Sequence, residues 1–364
     1  QSNLTSKSSG IPLPKRLEDV WIDLLANPNL CSKRLIASRF DQSAGGNTLL
    51  GSGGDAAVIR IKHNKTDTRP ERALALTVDS NPLYAARDPY LAAVLSVAEG
   101  MRNITATGAA PLAAAQAMNF GNPELYRQIS GFSESIRGVS DACRAWDLPI
   151  LNDSISFSRE IETDTLLPAA VVFMLGILHN IEQFCPTVFQ KSGDNILLLG
   201  TSQEELGGSE YLSYFHHLTN EGVLPDIDFN LERRTCELVY DLNEHNLINS
   251  AHDLSRGGLA ISLIECCLGR ERPLGASLKL NNTNKIRPDA LLFGETSARF
   301  LISCNKNKKA DIIKHCSRYS IPVTGEGVVG GKEISVSGGV EASIPLTTAW
   351  NIWRNALNGI LGVS

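Results

Sequence analysis

Three short patterns in the chain set oxygen ligands where a cation and a phosphate can meet. In the first, Gly51, Gly53 and Gly54 lead straight into Asp55 and Ala56, within residues 48–62. Glycines let the backbone take positive φ and approach a ligand closely. Mg²⁺ favours few protein carboxylates supplemented by phosphate oxygens, so one aspartate at the lip of a strand suits a cation bridging to a phosphorylated ligand. The plain alternative is a hairpin turn with a solvated aspartate. In the second pattern, Glu99 and Asn103 stand four apart in a helical stretch and project from one face, with Cβ atoms about 6 Å apart. They can offer two oxygens to one hard cation or form a solvated face. In the third, His252 and Asp253 precede Gly257 and Gly258 at a glycine-rich helix start, where Asp253 alternatively caps a turn. A fourth stretch, Gly207-Gly208-Ser209, opens an expected helix carrying Leu212, Phe215 and Leu218. Its free N–H groups can hold phosphate or simply be capped.

The elements that must position these groups follow from apolar periodicity. Short helices are expected over 17–25 and 33–40, separated by the turn formers Asn27, Pro28 and Asn29. The β-branched run 58–61 reads as a strand, followed by a polar hairpin over 63–71 and a second strand over 73–79. That strand ends in Asp79-Ser80-Asn81-Pro82, polar groups delivered to the end of a buried element. Asp88 as N-cap and Pro89 at the first helical position start a helix whose stripe is Leu91, Val94, Leu95, Ala98 and Met101. A strand over 112–118, a helix marked by Phe132, Ile136, Val139 and Cys143, and strands over 149–151 and 169–177 follow, with 152–157 as a connection. Helices on one face of a mainly antiparallel sheet are thus expected, the other face seeking a partner. The pattern restarts near residues 182–186, with strands over 195–200 and 299–303, an apolar helix over 260–268 and a loop over 325–331. Three parts result: linker and short helices over 1–40, one domain over 41–184 and another over 185–364.

Composition narrows the function classes. The 364 residues are 43% hydrophobic and 20% charged, as in a globular protein, and long enough for two domains. A net charge of -5, from 34 basic and 39 acidic residues, leaves no footprint for nucleic acid or an anionic membrane. The basic residues gathered over 306–314 lack interleaved aromatics and read as a solvated face. The apolar run 166–178 is broken by Pro168 and Gly176 and too short to span a bilayer. Residues 1–10 are polar, without the apolar centre of a signal peptide. Eight scattered cysteines form no CxxC or Cys/His zinc pattern and are expected as reduced core residues of a cytoplasmic protein. The tandem His216-His217 reads as packing and surface within a helix.

Taken together, GSGGDAAVIRIK (51–62), SVAEGMRNI (96–104), NFGNPE (119–124), LGGSEYL (206–212), SAHDLSRGGLA (250–260) and LLFGETSARF (291–300) resemble phosphoribosylformylglycinamidine synthase. The likeness is to the C-terminal half of its ammonia-using synthetase subunit and runs from about residue 14. It implies the two-domain α+β and α/β fold shared with aminoimidazole ribonucleotide synthetase. There the N-terminal sheet supplies half of a pseudo-dimeric barrel, and a C-terminal α/β domain stands behind it. The implied reaction uses ATP to phosphorylate the formamide oxygen of formylglycinamide ribonucleotide, after which glutamine-derived ammonia displaces phosphate to give the amidine. The implied metal ligands are Asp55, Glu99, Asn103 and Asp253, holding Mg²⁺ on ATP or ADP. The implied nucleotide contacts are Gly53, Gly54, Asp55, Ala56, Asp153 and Ser154. Implied partners are the N-terminal half of the same synthetase, or a second copy through the N-terminal sheet, and a glutaminase as ammonia source.

The chain also departs from the family pattern. Asp79-Ser80-Asn81-Pro82 stands where the catalytic half carries a histidine-rich SHNHP segment, so that point has no imidazole. Arg256 stands where related chains often carry Asp, and Asn152-Asp153 where they carry Gly-Asn or Lys-Asp. The alternatives are a non-catalytic module that holds ADP-Mg²⁺ to brace the barrel, and a stand-alone kinase or synthetase of the same fold. The latter usually shows two consecutive aspartates where this chain has Gly54-Asp55.

Overall fold

A computed structural model of the chain describes residues 10–62, 69–158 and 169–362. The expected N-terminal linker and the expected hairpin over 63–71 lie partly outside these residues. Six strands form the first sheet: β1 (Thr48–Leu50), β2 (Ala57–Ile61), β3 (Arg72–Asp79), β4 (Ala110–Phe120), β5 (Ile150–Phe157) and β6 (Ala169–Leu178). Their order is β1-β2-β3-β6-β4-β5, and every pairing is antiparallel except β4 with β5. Ahead of them and between them come α1 (Leu17–Ala26), α2 (Arg34–Ala37), α3 (Pro82–Ala85), α4 (Pro89–Ala106) and α5 (Tyr126–Ala145).

Side chains of a strand alternate between faces, which decides how this sheet is covered. Ala73, Ala75, Thr77 and Asp79 of β3 and Val172 and Met174 of β6 point to the helical side and are buried. Leu76, Val78, Leu151, Ile155 and Phe173 are exposed on strands of the same sheet. The covering helix α4 starts as expected: Asp88 accepts from the Leu91 N–H at 2.9 Å and Pro89 follows. Small residues let α4 lie close to the sheet, and a Cβ on Gly100 would stand 3.2 Å from the Asp79 carboxylate. Close approach also governs the α4 and α5 contact, where a Cβ on Gly138 would meet the Tyr90 carbonyl oxygen at 2.4 Å and Ala93 Cβ at 2.9 Å. Gly138→Ala should therefore cost about 2 kcal/mol through overpacking, seen as a lower urea midpoint with unchanged circular dichroism. An unchanged midpoint would mean that the helices separate freely.

Seven strands form the second sheet: β7 (Asn195–Leu199), β8 (Ser250–Asp253), β9 (Ala276–Leu280), β10 (Phe300–Cys304), β11 (Val323–Val329), β12 (Glu333–Ser337) and β13 (Ala342–Pro345). The order is β13-β12-β9-β11-β7-β10-β8, antiparallel except for β12 with β9. Its helices are α6 (Phe229–Glu244), α7 (Gly258–Leu268), α8 (Pro288–Phe293), α9 (Lys309–Tyr319) and α10 (Leu346–Leu361). Strand β10 is buried throughout because both faces are covered. Phe300, Ile302 and Cys304 pack with Leu238 and Leu242 of α6 and Ile312 of α9, whereas Leu301 packs with Ile261 and Ile264 of α7. The first of these cores is continuous with the N-terminal one, joining Val97 and Met101 of α4 to Leu238 of α6.

Three expectations are corrected. Residues 152–157 are part of strand β5, whose polar composition reflects its place at the sheet edge. The stretch 325–329 is strand rather than loop, and its glycines serve a close strand approach: a Cβ on Gly327 would meet the Ser277 carbonyl oxygen at 2.1 Å. The helix expected after Gly207-Gly208-Ser209 is a five-residue π turn, Tyr211–Phe215, with His217 beyond it in the left-handed region at φ 56°. Ser209 Oγ accepts from the Leu212 N–H there at 3.2 Å, so the stretch is capped by its own serine. Helix α6, with Leu231, Leu238, Val239 and Leu242 on one side, was not among the expected elements. All eight cysteines are free and buried, as expected. Among the described residues no helix is long and apolar enough to cross a membrane.

Candidate functional site

The site lies where the two sheets meet. The glycine loop ahead of β2 delivers Asp55, the end of β3 delivers Asp79, the buried face of α4 carries Glu99, Arg102 and Asn103, and β8 ends in His252 and Asp253. Gly53 adopts φ +102°, which a glycine takes without strain. The Asp55 carboxylate is buried, accepting from Thr187 Oγ1 at 2.7 Å and lying 2.6 Å from His252 Nδ1. His252 Nε2 in turn lies 3.1 Å from Glu265 Oε2 on α7. Ligand atoms of Asp55, His252 and Asp253 all fall within 4.8 Å of one another.

Arg102 closes the inner side. Its Nε donates to Asp253 at 3.3 Å and its Nη1 to Glu232 of α6 at 2.9 Å. Asn103 donates through Nδ2 to Asp79 at 2.8 Å, and Thr77 donates to the other Asp79 oxygen at 2.8 Å. The pocket holds more carboxylates than cations, which moves the pKa values. Burial, and then the charge of Glu99, raise Asp79 well above the ordinary carboxylate range. Burial pushes Asp253 up to about 8, with Arg102 opposing and Asp55 and Glu99 adding to the rise. Burial alone would lower His252, but the charge of Asp55 and its hydrogen bond override it and the imidazole is raised. Burial and crowded like charge make the ionised acids costly here, a cost that a hard divalent cation entering the cluster would relieve.

Of the residues singled out in the sequence, Asp55, Glu99 and Asp253 are brought into one charged cluster, and Asn103 reaches it through Asp79. Gly53 and Gly54 line an adjoining cleft of about 830 Å³, together with Thr187 and His252. Ala56 is buried beside the loop. Asp153 and Ser154 lie instead on β5, at the opposite edge of the sheet from β1, where Asp153 accepts from Gln116 Nε2 at 2.6 Å. Asp79 joins the acidic group; the sequence marked it as one of the polar groups at the end of a buried strand and as the place lacking an imidazole, not as an acid of the site. Its signal was the alternation of β3, which turns every second residue inward. Thr187 and Glu265 had no local signal. Arg256 donates to the Ser80 carbonyl oxygen and so ties the β3–α3 turn to the start of α7.

A second buried carboxylate braces the same region. Glu295 accepts from the Tyr84 hydroxyl, from the Gly257 N–H at 2.8 Å and from the Glu210 N–H at 3.0 Å. Burial pushes its pKa up to about 7 against an ordinary 4.5, the three donors opposing. The folded chain keeps this proton where the unfolded chain has released it. Its stabilising contribution is thus complete below pH 4.5 and is lost as the pH rises through about 7. Glu295→Gln, which keeps two acceptor bonds and can donate to Tyr84, should remove about 3 kcal/mol of that pH dependence. Urea unfolding of both proteins from pH 4.5 to pH 7 checks it; parallel curves would contradict it.

Comparison with known proteins adds to this geometry. The family described as AIR synthase related protein, N-terminal domain, matches residues 53–178, and its C-terminal domain counterpart matches residues 191–338. Phosphoribosylformylglycinamidine synthase subunit PurL of Alkaliphilus metalliredigens is 35% identical over 353 residues, covering 96% of this chain and 46% of the relative. The PurL subunit of Anaeromyxobacter sp. (strain Fw109-5) is 35% identical over 362 residues, covering 97% and 46%. The chain spans about half the length of the curated relatives it matches. Among solved structures, Thermotoga maritima PurL complexed with FGAR superposes with a TM-score of 0.72 at 15% identity, over 93% of this chain and 54% of that one. The same protein complexed with ATP gives 0.68 at 18% identity, over 92% and 53%. The HypE-HypF complex contains a chain matching at 0.58 and 14% identity, over 86% of this chain and 97% of that one. At these identities the structures show a shared fold.

Proposed function

Since the chain belongs to the AIR synthase related proteins, carrying both of their domains in order, we propose that it is the C-terminal half of a phosphoribosylformylglycinamidine synthase and binds Mg²⁺-ATP or Mg²⁺-ADP. The observation that carries this reading is the carboxylate cluster of Asp55, Asp79, Glu99 and Asp253, joined through His252 to a glycine-lined cleft of about 830 Å³. The donors are oxygen-rich, which fits Mg²⁺. Asp55, Glu99, Asn103 and Asp253 would hold the ion, and bound there it would neutralise polyphosphate charge. Thr187 and His252 orient Asp55, Arg102 orients Asp253, and Gly53 and Gly54 let the backbone approach the phosphates. Asp153 and Ser154, on opposite faces of the edge strand β5, are assigned to nucleotide contacts completed by the partner half.

The complete ligase joins formylglycinamide ribonucleotide, ATP and glutamine-derived ammonia in purine biosynthesis. In this reading the catalytic imidazole comes from the N-terminal half, which covers the exposed sheet face of Leu76, Val78 and Phe173. A second copy is the alternative cover. A glutaminase subunit or domain supplies ammonia, and the assembly works in the cytoplasm. A second reading, in which the nucleotide is held permanently to brace the barrel, is favoured by the one imidazole of the cluster: His252 is engaged by Asp55 and Glu265. The test is amidine formation from substrate, ATP and ammonia, with the chain alone and with the N-terminal half added. Nucleotide binding without product by the chain alone, and product on mixing, is expected. Product from the chain alone, or no nucleotide binding in either sample, would overturn the proposal.

A further inference from the structure

We infer that the base of the bound nucleotide is received by helix α10, on the Trp350 indole with the Arg354 guanidinium stacked against it. This rests on the Mg²⁺-nucleotide reading and adds where the other end of that ligand sits. The cleft has two chemically different ends within one cavity of about 830 Å³, a size ordinary for a small-molecule site. One end is formed by Gly53, Gly54, Thr187 and His252, next to the carboxylates. The other is formed by Trp350, Trp353 and Arg354 of α10, with Arg270 and the segment around Lys33. A metal at the acidic end fixes the phosphates there, which leaves the α10 end for the remainder of the ligand.

The groups at the α10 end divide into structural and available ones. Trp353 is structural: its Nε1 donates to the Leu30 carbonyl oxygen at 3.0 Å and its own carbonyl oxygen accepts from the Ser32 N–H at 3.0 Å. These bonds suture α10 to the segment that walls the cleft. Lys33 is turned to that same segment, with Nζ donating to the carbonyl oxygens of Cys31 at 2.6 Å and Asn29 at 3.0 Å. Arg270 donates to the carbonyl oxygens of Phe189 at 2.7 Å and Gln190 at 3.1 Å. Trp350 is half-buried, and its ring lies 4.7 Å from the Arg354 guanidinium carbon. A flat cationic pair of this kind stacks well on a purine, because both indole and guanidinium planes accept a π-face. Carboxylates at one end and an Arg–Trp plane at the other suit a nucleoside polyphosphate better than a bare polyphosphate or a sugar phosphate.

The experiment is calorimetric titration of the chain with ADP and with pyrophosphate, both in Mg²⁺, alongside tryptophan fluorescence. ADP should bind about tenfold more tightly than pyrophosphate and quench the emission. Trp350→Leu should lower ADP affinity about tenfold and remove the quench while leaving pyrophosphate within about twofold, and Trp350→Phe should restore most of the affinity. Equal binding of ADP and pyrophosphate, or unchanged ADP affinity in Trp350→Leu, overturns the assignment while the metal reading stands. ADP binding kept in Asp55→Asn but lost in Trp350→Leu supports the base site and sinks the metal reading. A folded chain that binds neither ligand overturns both.

Discussion

Asp55→Asn should lower Mg²⁺-dependent ADP affinity by at least about 100-fold, more than the loss typical of a residue that only supports a metal ligand. The amide keeps the shape of the carboxylate and can still accept from Thr187, so the loop retains its local bonds. What disappears is the charge that draws the cation and holds His252 in its raised state. Asp253→Asn should abolish binding equally, with a different effect on the fold. Burial has already pushed the Asp253 carboxyl up to about 8, so a neutral isostere resembles the protonated form present in neutral solution. Its melting temperature should be unchanged or raised as binding is lost. Titration calorimetry and differential scanning calorimetry on the same preparations check this. Binding within threefold of the parent in either variant would remove that residue from the metal site.

The second large effect concerns Arg102. Its replacement by Met leaves the Glu232 carboxylate without its cation in a region sealed from water, with the Asp253 carboxyl beside it. Glu232 Oε1 also accepts from the Ser297 hydroxyl and, at 3.0 Å, from the Ala298 N–H, but Oε2 is buried with no hydrogen-bond partner among the described residues. Removing one partner of a buried ion pair costs about 3–5 kcal/mol because the other charge stays uncompensated. For a chain of this size that is a fall of about 5 °C in melting temperature. Arg102→Met with Glu232→Gln should recover a substantial part of the loss, as expected of directly coupled residues. A single-variant loss below about 1 kcal/mol would show that water reaches the pair.

Local features were legible in the sequence where one segment contains its own cause. The Asp88 and Pro89 helix start, the Glu99 and Asn103 pair and the inward alternation ending at Asp79 each depend on a few consecutive residues. The fold class followed from six motifs in order, and both domains of the family match it. The connection assigned to 152–157 failed because a polar edge strand has the composition of a loop. The stretch 325–329 failed because glycines that admit a neighbouring strand look like turn glycines. Helix α6 carries an Asp228 cap and a clean apolar stripe, a signal that was present and not drawn out. The partners of the site are another matter. Arg102 meets Glu232 at a separation of 130 residues and Thr187 meets Asp55 at 132, and no periodicity encodes such meetings. They exist only once two sheets share a core.

That shared core has a consequence for recombination. The composition break near residue 185 invites an exchange of halves between relatives, since each side builds its own sheet. Yet the acidic cluster takes Asp55, Asp79 and Glu99 from one side of that break and Asp253 from the other, and Arg102 crosses it to Glu232. A chimaera joined there inherits one binding site from two parents. Crossovers at this point should survive only when the donor of residues 186–362 brings both acids that face Arg102, so the most visible boundary in the chain is a poor place to cut it.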